Sequence, residues 1–552
     1  MPDDPHRPIG RPPGQIDPAG SLRARLGAEI RRLRDASGFT LAALAQVGGS
    51  SSSHLSDVEH GKKLPSLGLV ERLDEVLGAD GALINLFPDA ALEQTVNRHR
   101  RGQSGSDNRH GSPQLMANPA SSGASHTGTD TVRSAIAAPA REGSTPCEQF
   151  AGFVLDRWPG IRLSKPVPDY GVDWNLILPG GRSLPGSCLN LQIHAGLRRD
   201  DGSVVVPGVD RSRLLQGIAM PVPALLVAVD NSREMPGFFM ISGTEAQRQI
   251  SHSSGARVTL RLPEAYRLDD LTFGLLWAMC SLDGALLGDD CVLVDSSRRL
   301  REYNGMPQST VSRQLAPELS SVGQMWLASD FCARHILRHY HLLTEVPSFW
   351  TREQYGEEAC LWMLFRHKHA YLLRTRRHFP DAKAAPLSRT FCLSEESVRL
   401  SAVWERILLF LSIALMESLQ IQTYVHTEPE YSNVPGFVLA PEQRAIIANW
   451  IRADGLWYAD MTQRRTDLKE FGDHLGCATS GSVIEATNAG DRLHRLAHYL
   501  GLDWPRLARR CAALAQHGCA GLVQPRSRLL STAGVDDACQ FVGGIYHETS
   551  AR

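Results

Sequence analysis

The chain has 552 residues, 21% of them charged, and 58 Lys and Arg against 59 Asp and Glu leave a formal net charge of −1. At about 150 residues per domain this length exceeds what one hydrophobic core organises, and the charge balance excludes a global cationic field that would draw the protein to nucleic acid or anionic membrane without specificity. Any nucleic-acid contact must come from a local surface.

The basic residues divide into 52 Arg and 6 Lys, a bias that folding does not require and that G+C-rich codons produce directly, so an actinobacterial source is expected. The 11 Cys are an odd number without short repeated spacings, which argues against a disulfide framework and against a zinc site built from CxxC pairs. A reducing cytoplasm is the expected location. The opening MPDDPHRPIGRPPGQ has no basic-then-apolar signal pattern, and the longest apolar run, Ile407 to Met416, has about half the ~20 residues of a membrane helix. A soluble protein with no membrane partner is expected.

Residues 1–20, rich in Pro, Gly and Asp, read as a disordered leader. Helical periodicity then governs residues 21–90. Leu22, Leu26, Ile30 and Leu33 form one stripe of a first helix whose other faces carry Arg23, Arg25, Arg31, Arg32 and Arg34. Gly38 ends it, Thr40 caps a second helix that buries Leu41, Leu44 and Ala45, and Gly49 supplies a tight turn. A third helix starts in Ser50 to Ser53, buries Leu55 and Val58 and stops at Gly61, leaving Ser52, Ser53, Ser56 and Asp57 outward. Such a face fits a DNA major groove. Leu69, Leu73, Val76 and Leu77 line a fourth helix closed by Gly78.

The run GFTLAALAQVGGSSSSHLSDVEHGKKLPS resembles the helix-turn-helix signature of lambda-repressor/Xre-type transcriptional regulators across its three central helices. The resemblance implies that Ser52, Ser53 and Asp57 face bases, that Thr40 and Ser51 lie near phosphates, and that His60 and Lys62 approach the DNA backbone. It departs from the pattern at Leu41, where many relatives carry a Gln, and at Ser50, where an apolar residue is usual.

Residues 91–145 read as a flexible linker: a basic knot, Arg98, His99, Arg100 and Arg101, opens a Ser/Gly/Asn/His-rich stretch. Over 146–264 the pattern is helix, three strands, helix, strand, an α/β order similar to that of restriction-endonuclease-like folds. The runs PDYGVDWNLIL, CLNLQIHAG and VPALLVAVD resemble a PD-(D/E)XK nuclease-type domain. In active members an acid on the first strand and an acid or Gln two residues before a Lys hold Mg²⁺, and the Lys assists the attacking water. The corresponding residues are Asp173, Gln192 and His194, with Glu148 on the preceding helix as a fourth member. The lysine is absent, and His is mostly neutral at pH 7 and prefers softer metals. The domain is read as an inactive remnant, structural or ligand-sensing, with no catalytic residue, metal or cofactor.

Residues 265–552 read as a mainly α region of unassigned role. Two HxxxH pairs, His335 with His339 and His494 with His498, have the spacing of helical metal ligands, but 20 His in the chain produce such pairs by chance, and no metal is assigned. Trp362, Phe365, Trp404, Leu408 and Leu411 at helical spacing are expected in a core. The combined reading is a multidomain, non-enzymatic transcriptional regulator that binds double-stranded DNA through its head. A homodimer is expected, because one short helix reads too few bases, and a small-molecule effector is a candidate partner. A DNA-targeted nuclease of a defence or restriction system and a protein-interaction scaffold are the alternatives.

Overall fold

The computed structural model describes residues 22–65, 67–79, 82–83 and 86, and residues 145–550 apart from 167–170, 182–183, 234, 313–317, 353–354, 381–385 and 449–455. The leader, and the linker with its basic knot, lie outside the described residues apart from Thr145. The chain falls into two compact units, Met1–Ala124 and Ser125–Arg552.

Among the described residues of the first unit are the helices α1 (Leu22–Ala36), α2 (Leu41–Val47), α3 (Ser52–Glu59) and α4 (Leu67–Val76). Leu26, Ile30, Leu44, Leu55, Val58, Leu69 and Leu73 close a small core between them. Two glycines set how tightly α1 and α3 cross. A methyl group on Gly27 would sit 2.3 Å from the Val58 carbonyl oxygen, and one on Gly61, whose φ is +66°, would meet the Ala24 backbone at 2.7 Å. Only glycine takes that backbone conformation without strain and permits that approach.

Arg34, expected on the solvated face of α1, is instead turned inward. Its Nε and Nη2 donate to the Glu59 carboxylate at 2.7 and 3.0 Å, and its Nη1 donates to the Phe39 carbonyl at 3.2 Å. The Glu59 side chain is 4% exposed. This fork ties α1 to the end of α3, so one of the arginines of the first helix is structural.

The second unit opens with α5 (Pro146–Arg157) and continues through β1 (Arg162–Ser164), β2 (Trp174–Leu178), β3 (Ser187–Arg198), β4 (Val204–Asp210), α6 (Arg211–Ile218), β5 (Ala224–Asp230), β6 (Gly237–Ser242), α7 (Gly243–Ile250) and β7 (Arg257–Leu262). The order read over 146–230 is present, with the short β1 added. Strands pair in the order β1-β2-β3-β5-β6; β3 and β5 are parallel and their neighbours antiparallel. The far end of β3 pairs with β4, which pairs with β7 across an irregularity between Val206 and Val209.

Next come α8 (Asp270–Arg299), β8 (Ser309–Ser312), α9 (Ser321–His339), β9 (Ser348–Thr351), α10 (Gly356–Leu364), α11 (Arg366–His378), β10 (Ser388–Cys392), α12 (Glu395–Leu400), α13 (Val403–Ser418), β11 (Gln422–His426), β12 (Phe437–Ala440), β13 (Arg444–Ala448) and β14 (Leu456–Thr462). Four helices close the chain, α14 (Arg465–Ser480), α15 (Ala489–Tyr499), α16 (Trp504–His517) and α17 (Ala533–Ser550). The region is helical as expected, and it also carries a second seven-stranded sheet, β11-β10-β9-β12-β13-β14-β8, that its sequence did not announce.

One continuous apolar core runs from Phe150 to Val542 through both sheets, so the boundary read at residues 264 and 265 falls inside a single unit. The joint is α8. By length and hydropathy it could cross a membrane, but 78% of its apolar window is buried inside the protein. Trp158 stacks on its Phe273 at 4.1 Å, Trp277 packs against Trp404 at 4.3 Å, and the Trp277 indole donates to the Pro179 carbonyl at 2.9 Å. Trp362, Phe365, Leu408 and Leu411 lie in the core as read.

The Arg34–Glu59 fork yields a test. In Arg34→Met the Glu59 carboxylate stays buried without its cation, and loss of one partner of a buried pair costs about 3–5 kcal/mol. Urea unfolding followed on the first unit should show that loss, and Arg34→Met with Glu59→Leu together should recover most of it.

Candidate nucleic-acid interface

The start of α3 is built from hydroxyls. Ser51 is its cap, Oγ accepting from the His54 amide at 3.1 Å, and Thr40 caps α2 in the same way, Oγ1 accepting from the Ala43 amide at 3.2 Å. Both caps satisfy amides that the first helical turn leaves open. With Leu55 and Val58 pinned in the core, Ser52 and Ser53 are left exposed. Ser56 and Asp57 continue that face half-buried, and Lys62 projects into solvent just beyond the helix. His60, half-buried, uses its Nδ1 on the Ser56 carbonyl at 2.7 Å, which leaves Nε2 as the atom that can reach a phosphate.

The face is nearly neutral. Asp57 pairs with Lys63 at 2.9 Å, and that hydrogen-bonded ammonium holds the Asp57 carboxyl below its usual range. Several arginines of α1 are also engaged, Arg32 with Glu29 at 2.7 Å and Arg34 with Glu59. Exposed Arg25 lies on the same helix. Ser50, the departure from an apolar turn residue, is half-buried, and its amide donates to the Ala45 carbonyl at 2.8 Å.

A family model described as a helix-turn-helix domain matches residues 25–87. Residues 25–87 are a helix-turn-helix domain. A search of curated proteins and a search of solved structures return no match to the chain.

In the second unit the nuclease-like residues come only partly together. Asp173, just ahead of β2, accepts from the Ile193 amide at 2.7 Å and pairs with Arg213 at 3.1 Å. His194 lies within electrostatic reach of both, and its burial, the dominant influence, holds the imidazole below its usual range. Gln192 donates its side-chain amide to the Gly171 and Arg213 carbonyls, Arg213 being the residue that pairs with Asp173. Glu148 closes a capping box, accepting from the Thr145 amide at 2.9 Å. Among the described residues no group of three His, Cys, Asp or Glu is placed to hold a metal.

The helical histidine pairs behave differently from one another. His494 and His498 are exposed. The His335 and His339 rings lie 4.5 Å apart in the core, where the His339 ring is bonded through Nδ1 to the His335 carbonyl at 2.8 Å. Burial pushes His335 down to about 4, and His367, bonded to the Ser329 hydroxyl at 2.9 Å, down to about 3. Sequence reading passed over a different cluster. His426 at the end of β11 and His474 on α14 flank Tyr431, with ring centroids 4.6 and 5.3 Å away, beside Trp350. Both nitrogens of His426, Nδ1 of His474 and Nε1 of Trp350 are buried without a hydrogen-bond partner among the described residues. These residues span more than a hundred positions of chain, and no local motif links them.

Two expectations follow from this geometry. Since Asp173 is engaged by a backbone amide and by Arg213, Asp173→Ala should lower the melting temperature of the second unit while plasmid incubated with the protein in Mg²⁺ or Mn²⁺ stays intact; cleavage abolished by the substitution is the contrary result. His335 and His367 titrate below the unfolded chain's value near 6.5, so on acidification the unfolded state takes up protons first. Stability should therefore be full above pH of about 6.5 and fall towards pH of about 5, and His335→Gln should flatten that limb of the melting-temperature profile.

Proposed function

We propose that the protein is a sequence-specific, DNA-binding transcriptional regulator of Xre type, with the helix-turn-helix domain as its reading head. The observation that carries this is the exposed Ser52–Ser53 pair at the capped start of α3, in a segment matched as a helix-turn-helix domain. The N-terminal residues of the second helix of such a motif are those that meet base edges. Hydroxyls read bases through single hydrogen bonds and do so less sharply than Arg or Gln, so shape and phosphate contacts by Lys62, His60 and the flanking hydroxyls of Thr40 and Ser51 complete the reading. Binding as a dimer on paired half-sites supplies the remaining specificity.

The same reading gives the second unit no catalytic task. His194 in place of a lysine, and Asp173 already held by the Ile193 amide and Arg213, support a non-enzymatic role for the nuclease-like region, and eleven free cysteines support a reducing cytoplasm. The regulator reading is tested by selecting bound fragments from genomic DNA with the full chain and then titrating the selected operator. Ser52→Ala with Ser53→Ala should weaken operator binding about ten-fold while leaving binding to random duplex unchanged. Lys62→Ala should weaken both alike and reduce the salt slope by about 1. Selection that returns no enriched sequence at low salt overturns the proposal.

A further inference from the structure

We propose that a groove beside α16 is a binding site for a phosphate-bearing ligand that carries a flat ring, a nucleotide being the chemical class that fits. The groove encloses about 510 Å³, inside the usual 300–1,000 Å³ of small-molecule sites. Its cationic wall is made by periodicity: Arg506, Arg509 and Arg510 share one face of α16 with Ala513, and Arg267 and Arg157 complete the lining.

The arginines are not equivalent. Arg510 is structural: it donates to the Asp269 carboxylate at 2.7 Å and to the carbonyls of Glu264, Ala265 and Arg267. Arg157 is held by Asp270 at 2.6 Å. The two carboxylates that line the groove are likewise occupied, Asp269 by Arg510 and Glu264 by Arg198 at 2.7 Å. Arg267 stands 3.9 Å from Glu264. Arg506 and Arg509 are exposed and make no ion pair or side-chain hydrogen bond among the described residues. Two guanidinium groups three residues apart on a helix, each presenting a planar fork of donors, match the geometry of phosphate oxygens.

Aromatic rings share the lining. Phe153 and Phe238 both line the groove, and Phe153 is half-buried, stacks on Phe238 at 4.4 Å and stands nearly perpendicular to Trp158 at 5.5 Å. A ring held rigid by two aromatic neighbours is a platform for a further flat ring, and stacking of that kind is tolerant of which base is presented. Cations and a fixed ring in one groove select a ligand with both features over a simple anion. The site belongs wholly to the second unit, so it stands or falls independently of DNA recognition by the head.

Calorimetric titration of the full chain with ATP, adenosine and pyrophosphate tests the assignment. ATP should bind more tightly than either fragment and weaken with salt. Arg506→Glu with Arg509→Glu, both exposed positions, should lose at least about ten-fold for ATP and for pyrophosphate. Phe153→Ala should bring ATP down towards pyrophosphate while leaving pyrophosphate unchanged, with the melting temperature confirming that the variant is folded. The proposal is overturned if neither ATP nor pyrophosphate saturates the protein at low salt, or if the charge reversal leaves both affinities as they were. It is overturned too if that reversal weakens only duplex DNA binding, which would make the groove a nucleic-acid contact, or if Phe153→Ala spares the preference for ATP over pyrophosphate.

Discussion

The second unit depends on the burial of α8. A helix of 30 residues with apolar side chains around most of its circumference cannot lie on a surface in water, because each exposed large side chain forgoes roughly 1.5–3 kcal/mol. It must be covered on more than one side. The first sheet's helix α5 and the helix α13 of the second layer cover it through the Trp158–Phe273 and Trp277–Trp404 contacts. The start of α8 is fixed just as firmly, since Asp269 accepts from the Leu271 and Thr272 amides at 3.1 Å and takes the Arg510 guanidinium on its other oxygen. One carboxylate therefore sets where α8 begins and where α16 lies.

The same joint accounts for the shape of the groove beside it. Arg510 gathers three carbonyls, those of Glu264, Ala265 and Arg267, from the segment leading into α8, which brings that segment against the face of α16. Arg506 and Arg509, displaced from Arg510 by about one turn or less, are carried into the open by that contact. A structural arginine in this way positions two others that have no ion-pair partner among the described residues.

How much of this was legible in the sequence follows from whether each element carried its own local signal. The four head helices did: apolar spacing, hydroxyl caps at Thr40 and Ser51 and positive-φ glycines at their ends all lie within a few residues of one another. Strands β2 to β5 of the first sheet did also, being bounded by Gly and Pro turns, whereas β1, β6 and β7 were not singled out. The second sheet did not. Its strands are four to seven residues long and scattered among helices, and β10 is buried at all five positions, Arg389 among them. A charged residue in a strand reads as surface. Its guanidinium is instead covered by the Phe349 and Trp362 rings at 4.6 and 4.7 Å, with the Lys368 ammonium 4.0 Å from the same indole. Tertiary aromatic packing decided that placement, and no short window of sequence contains it. The nuclease-like residues show the limit of a motif, which gives residue type and spacing and leaves unsaid that Gln192 and Glu148 also bond to backbone groups.

The Asp57–Lys63 contact gives the reading helix an electrical property of its own. A carboxylate facing DNA would ordinarily be pushed away by the phosphates, yet here it travels with its own counter-cation, a few residues downstream on the same chain. On the proposed reading, the surface that meets base edges is a patch of hydroxyls beside a compensated carboxylate. Attraction to the double helix would then reside in the flanks and discrimination in contact geometry, so that ionic strength would alter how often the head encounters DNA far more than which sequence it prefers once there.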